Sequence, residues 1–293
     1  MNGSSNSITK KKIRIADSII YGLIYFCAGI SVLLVAGIII YVFGKGFSQV
    51  NWEFLTTTTS ALRGTVGIAG NILNTIYIII LTMLLATPIG VGAAIYLNEY
   101  AKPGKLVQIV ELATETLAGI PSIIFGMFGM MFFGATLGLK YSILTGTLTL
   151  TLMVLPLITR NTQEALKTVP DSYRHGAVGL GAGKWYTIRT ILLPSAMPGI
   201  ITGVILAIGR IVGESAALLY TAGSSDLLPA NAQAYLDKIL QPGGTLTIQL
   251  YLSAQKGEFD VAFGIALILL IIVLAINMVT KLLAKRFDVN RLK

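Results

Sequence analysis

Arg210 and Glu214 are the residues whose positions most demand a chemical explanation. They stand four apart inside a run that is otherwise apolar from about 195 to 222, with Arg210 near the middle of a membrane-length segment. Placing such charges in hydrocarbon costs at least about 2.5 kcal/mol each, so they must face water or protein. Two chemistries fit. On one helix face the pair could staple the helix as an ion pair, although Arg before Glu is the weaker order. Alternatively, the guanidinium offers forked donors to an oxyanion, a task that suits Arg better than a lysine point charge. The second reading is adopted here: Glu214 orients Arg210 and keeps the anion from binding too tightly to leave. Arg160 closes another apolar run, as either a snorkelling anchor or a further ligand contact.

Other chemistries find no residues to carry them. Gly179-Leu180-Gly181-Ala182-Gly183-Lys184 is glycine-rich, but Trp185 stands where a phosphate-binding loop needs Ser or Thr, and the glycine spacing is wrong. One cysteine, Cys27, and one histidine, His175, build neither a disulfide nor a metal site. No catalytic Ser/His/Asp constellation is evident, and no cofactor is expected.

The chain has 293 residues, 54% hydrophobic and 12% charged. A soluble domain carries about twice that charged fraction, so an all-α integral membrane protein is expected. Six apolar segments are long enough to cross a bilayer: 18–43, 70–97, 107–134, 141–160, 195–222 and 259–281. The first is too long for a signal peptide and has no cleavage site after it, so it is read as a retained helix. The third contains Glu111, Glu115 and a break at Gly119-Ile120-Pro121-Ser122. In the fourth, Thr145, Thr147, Thr149 and Thr151 alternate with apolar residues. That period of two suggests a strand, but an isolated strand in lipid leaves its backbone unsatisfied, so a helix is expected. Residues 44–68 and 223–257 read as loops, the second partly helical around 231–240. Gly199/Gly203 and Gly209/Gly213 allow close helix approach, most simply within one bundle.

The net charge of +9 raises the question of nucleic acid, and its placement answers it. Sixteen of the 22 Lys and Arg fall in the N-terminal arm, the 98–106 loop, the 160–190 segment and the tail. Five fall in the alternate loops, and Arg210 lies within the membrane. The bias marks both termini and the 160–190 segment as cytoplasmic, and no nucleic-acid partner is expected.

That segment holds the one long polar interval, 171–194. Ser172–Gly179 reads as a short amphipathic helix, Leu180-Gly181-Ala182-Gly183 as a tight turn, and a second helix begins near Lys184 and runs into Pro194. A helix–turn–helix knob at a membrane face is shaped to be gripped by another protein. Replacing Gly181 with Val is expected to clash at the turn. His175 could make the grip depend on pH between roughly 6 and 7, a solvated surface residue being the plainer reading.

Gly181, nine further residues, then Ile191, Leu193 and Pro194 resemble the signature of ABC importer permeases, with His175-Gly176-Ala177 where that signature has Glu-Ala-Ala. Gly203 to Ala217, Leu117 to Ile123 and Val169-Pro170-Asp171-Ser172 are similar to the PstA family of phosphate-importer permeases, over roughly residues 69–285. The resemblance implies a type I ABC importer fold and inorganic phosphate as substrate. It also implies three kinds of partner besides membrane lipid: a homologous second permease (PstC-like), two ATPase subunits (PstB-like) and an extracytoplasmic phosphate-binding protein (PstS-like). Arg210, Glu214 and Arg160 would line the phosphate path, with Ser122 of the third-span motif counted beside them. The ATPase-coupling residues would be His175, Gly176, Ala177, Leu180, Gly181, Ala182, Ile191, Leu193 and Pro194. The expected division is residues 1–68 (arm, first span and extracytoplasmic loop), 69–285 (transmembrane core with coupling loop 161–190) and 286–293 (tail), in a bacterial cytoplasmic membrane. A permease for phosphonate or molybdate is the nearest alternative. An ion-coupled secondary carrier would have no use for the knob.

Overall fold

The computed structural model of the chain describes residues 15–60, 64–102 and 104–286. The basic arm at Lys10–Lys12 and Arg14, the loop residue Arg63 and the tail beyond Arg286 lie outside them. The described chain is almost wholly helical, as its composition requires. Five helices are long and apolar enough to cross a membrane, six when one bent pair counts as a single crossing.

α1 (Ile15–Gly46) packs chiefly on the last helix, Phe259–Arg286, at the outside of the sheaf. The stretch after it, expected as a loop, folds into α2 (Trp52–Thr56) and a hairpin of β1 (Thr58–Ser60) and β2 (Thr65–Ile68). Asn51 caps α2 by accepting from the Phe54 amide at 2.7 Å. α3 (Ala69–Ile95) continues through a wider π turn to Tyr100. The third crossing is α4 (Lys105–Gly119) and α5 (Ser122–Gly129), the latter running on as π helix to Thr136. The two halves meet at 103°. Pro121 is the cause: it donates no amide hydrogen and pushes Ile120 into extended backbone.

α6 (Ile143–Lys167) is a helix, as the membrane argument requires. The hydroxyls of Thr149 and Thr151 donate to the carbonyls one turn back, Thr145 and Thr147, each at 2.8 Å. The knob consists of α7 (Asp171–Gly179) and α8 (Lys184–Thr187). The chain does not stop at Pro194. α8 passes through π turns at Ile188–Leu192 into α9 (Leu193–Val212), giving a continuous helix Lys184–Val212. Pro194 has no amide to donate, and the ladder absorbs the missing bond by widening rather than ending.

The fifth crossing, expected to be unbroken to 222, ends at Gly213; α10 (Ala216–Thr221) follows a three-residue break. Beyond it come α11 (Ala232–Asp237), α12 (Leu246–Gln255) and α13 (Phe259–Arg286). The helical turn near 231–240 is as expected, whereas α12 replaces what the sequence suggested was loop. Thr245 caps it by accepting from the Ile248 amide, and Gly257 takes positive φ just past its end.

α3, α6 and α9 form the centre. Lipid gives no hydrophobic drive for helices to associate, so close approach must supply the packing. An added Cβ would lie 2.8 Å from Ile158 at Gly90, 2.6 Å from Ala165 at Gly199 and 2.7 Å from Asn161 at Gly203. The Gly199/Gly203 pair thus seats α9 on α6. Gly209 faces open space and Gly213 meets only the Gly209 carbonyl at 3.5 Å, so the second pair performs no such role.

Candidate functional site

α6 repeats at helical spacing along one face, so that Met153, Leu157, Arg160 and Glu164 point the same way. α9 lies against that side and delivers Arg210 from its last turn, where the helix dipole favours a cation. The two arginines, 50 residues apart in sequence, line one cavity of about 250 Å³ together with Asn161, Glu164 and the elbow residues Ile120 and Phe125. Most of the lining is apolar, which lowers the local dielectric and strengthens any charge–charge contact inside.

The two guanidiniums differ in their company. Arg160 Nη1 is 3.2 Å from Glu115 Oε1 on α4, and its Nε is 3.9 Å from Glu164 Oε1 one turn on. It is therefore paired, and not simply reaching for the membrane surface. Arg210 has no ion-pair partner among the described residues. In particular, it does not pair with Glu214. The expected i, i+4 placement on one helix fails because α9 ends at Val212, between the two. Glu214 instead sits in the break, 7% exposed. Its Oε1 accepts the Ala217 amide at 3.0 Å, and its carbonyl accepts the Thr247 hydroxyl at 2.9 Å. Backbone groups that leave a helix within a membrane need such partners, and Glu214 supplies them. Gly126 of α5 packs on α10, where a Cβ would lie 2.8 Å from Ala217. Ser122, half-buried, opens α5 and is not on the cavity wall, whereas Ile120 and Phe125 beside it are.

The knob takes the expected shape. Gly181 has φ +82°, and the Ala182 amide reaches the Ala177 carbonyl while the Gly181 amide reaches Val178, each at 2.9 Å. That is the αL helix stop that favours glycine. No atom lies within 4 Å of a Cβ built at Gly181, so the Val clash is not found; the cost there is backbone conformation. Leu180 at the tip is 92% exposed, and Val178, Trp185 and Tyr186 are also exposed. His175 and Gly176 are exposed and Ala177 is buried, while Ile191, Leu193 and Pro194 are half-buried on the helix that carries the knob into the membrane.

The sequence reading missed Arg174. Its guanidinium donates to Glu99 at 2.9 Å, to Asp171 at 3.0 Å and to the Leu166 and Val169 carbonyls at 3.1 Å. The Glu99 bond pushes the Arg174 pKa above its ordinary value, against the desolvation of partial burial. Lys184 lies 4.8 Å over the Tyr100 ring. The knob is thus fastened to the ends of both α3 and α6. An unpaired-looking glutamate at the end of the second span was the available signal.

Comparison with known proteins agrees with these features. The family profile "Binding-protein-dependent transport system inner membrane component" matches residues 86–291. A probable ABC transporter permease protein of Bacillus subtilis, YqgI, is 35% identical over 279 residues, covering 92% of this chain and 95% of its own length. The phosphate transport system permease protein PstA 2 of Mycobacterium bovis is 31% identical over 278 residues, covering 94% and 91%. Among solved structures, a chain of a bacterial alginate ABC transporter superposes with TM-score 0.68 at 14% identity, covering 94% of this chain and 96% of that one.

Proposed function

The chain belongs to the binding-protein-dependent transport system inner membrane components, multi-pass permeases that work with an ATPase and a substrate-binding protein, and from this we propose that it passes inorganic phosphate in an ATP-driven bacterial importer. The observation that carries the reading is the pair of arginines on one apolar-walled cavity between two helix breaks. Forked guanidiniums suit a tetrahedral oxyanion, and relatives covering nearly the whole chain are named phosphate permeases. Arg210, in no ion pair among the described residues, is the principal anion contact, with Arg160 beside it. Glu214 holds the backbone break that presents Arg210, and Ser122 opens the helix on the opposite side.

In this reading both termini and the knob face the cytoplasm, as the distribution of Lys and Arg supports. The knob docks on one of two ATPase subunits, a homologous second permease completes the path, and an extracytoplasmic binding protein delivers phosphate. Residues 69–285 form the transporting core, including coupling loop 161–190, and 1–68 and 286–293 are additions to it.

The test is phosphate uptake into vesicles holding the assembled importer, with ATP or a proton gradient as the only energy source. Uptake should follow ATP. Arg210→Gln should abolish it at normal membrane abundance, and Arg210→Lys should recover little. An Arg210→Gln permease that takes up phosphate normally would overturn the assignment, as would uptake that molybdate or a phosphonate supplants.

A further inference from the structure

Arg160 stands on the boundary between two recesses. One is the cavity shared with Arg210. The other, of about 200 Å³, holds Glu111, Glu115, Glu164 and Lys167. The guanidinium is drawn to the second by Glu115 at 3.2 Å and faces Glu164 at 3.9 Å. The Arg160 and Glu115 side chains are 55% and 57% exposed, so the pair is readily exchanged. No described side chain of α4, which carries Glu115, is buried, and that helix meets the core through α6. Little packing opposes its movement.

We infer that Glu115 is a tethered competitor for the transported anion: its carboxylate and the anion take turns at the Arg160 guanidinium. When the anion lies between Arg160 and Arg210, Glu115 is displaced. When Glu115 recaptures Arg160, the anion loses one of its two cations and is released. The outer recess then repels it, because three carboxylates there outweigh Arg160 and Lys167. Release is thereby favoured and re-binding opposed without any loss of affinity on the delivery side. The inference rests on the anion-path reading above.

The experiment uses the assembled importer in proteoliposomes loaded with graded inorganic phosphate. In Glu115→Gln, internal phosphate should inhibit uptake at a concentration about three- to fivefold lower, the scale of an exposed ion pair. The maximal rate should fall while half-saturation by external phosphate stays put, and Glu115→Asp should lie between. An assembled Gln variant with the wild-type inhibition curve would overturn the inference. If that variant fails to assemble, an unchanged curve in the Asp variant does the same. Arg210→Gln in the same vesicles separates the two claims. If it is inactive while the Glu115 curves are unchanged, only the competitor is lost; if it is active, the anion path itself has failed.

Discussion

The two ends of the helix sheaf are held by opposite kinds of polar contact. At the end away from the knob, the side-chain amides of Asn71 and Asn74, 1% and 0% exposed, converge on the Gly244 carbonyl at 2.9 and 3.1 Å, and Asn74 also reaches Ser225. The buried Lys238 ammonium donates to the Leu227 and Pro242 carbonyls, and Asp226 accepts the Thr59 amide. The asparagine bonds to Gly244 are buried and those of Lys238 partly so, where breaking one is costly; the Asp226 bond is exposed. At the knob end the contacts are ion pairs, most of them solvated, between Arg160 and Glu115 and between Arg174 and its carboxylates. Water can replace either partner of the exposed Arg160–Glu115 pair at little cost, whereas Arg174 and Glu99, 21% and 9% exposed, form the firmer pair. One end is built to stay as it is, and the other to change partners.

Attacking the static end should have the largest effect on stability. Asn74→Ala removes two bonds, to the Ser225 and Gly244 carbonyls, which keep the Gly244 amide and Asn71 respectively. Losing both bonds and the buried side chain should cost about 2–3 kcal/mol, read as a melting temperature several degrees lower in detergent. Transport per folded molecule should be unchanged. At the other end, Arg174→Gln should cost less, about 1–2 kcal/mol, because Glu99 retains the Asn98 amide at 2.7 Å. Its signature should be functional: more ATP hydrolysed per phosphate moved, with ATPase still co-purifying. If the two variants exchanged these outcomes, the contrast between the ends would be wrong.

Gly181→Val should cost about 1–2 kcal/mol through its positive φ alone, weakening retention of the ATPase by about tenfold, measured by co-purification. Lys238 sharpens the contrast through pH. Burial holds its pKa below the ordinary lysine value, with Asp226 opposing. The folded state therefore releases this proton more readily than the unfolded chain. Stability from this group rises as pH climbs through the depressed pKa toward 10.5. Lys238→Met should flatten that rise in melts recorded across alkaline pH. The smallest expected effect is at His175, which is exposed. His175→Glu should leave the pH profile of uptake unchanged.

Much of this architecture is legible in the sequence, because lipid restricts the choices. Apolar length marked the crossings, the demand for internal backbone bonding made Thr145–Thr151 helical, and Pro121 announced its elbow. Gly181 was readable as a turn because a αL stop favours glycine. The break at 213–215 was less visible. Gly213 and Glu214 sit in a run apolar enough to continue, and only the capping bond from Ala217 and the long-range bond from Thr247 reveal the interruption. For the same reason Arg210 and Glu214 looked like a helical pair. The Arg174–Glu99 bond joins residues 75 apart and obeys no periodicity. α12 carries its own signals, Thr245 ahead and Gly257 behind, in the part of the 223–257 stretch beyond 240, where Pro and Gly suggest loop.

The unbroken helix from Lys184 to Val212 has a mechanical consequence. Lys184 belongs to the knob and Arg210 to the cavity, and about 39 Å of helix separates them at 1.5 Å per residue. The wider π turns at Ile188–Leu192 lie near the knob, so any flexing is concentrated at the pivot and the remaining length swings as one arm. Tilting that arm by about 10° carries the arginine sideways by roughly 5 Å. In the proposed docking, a small rotation at the knob thus becomes a stroke about as long as a phosphate ion is wide.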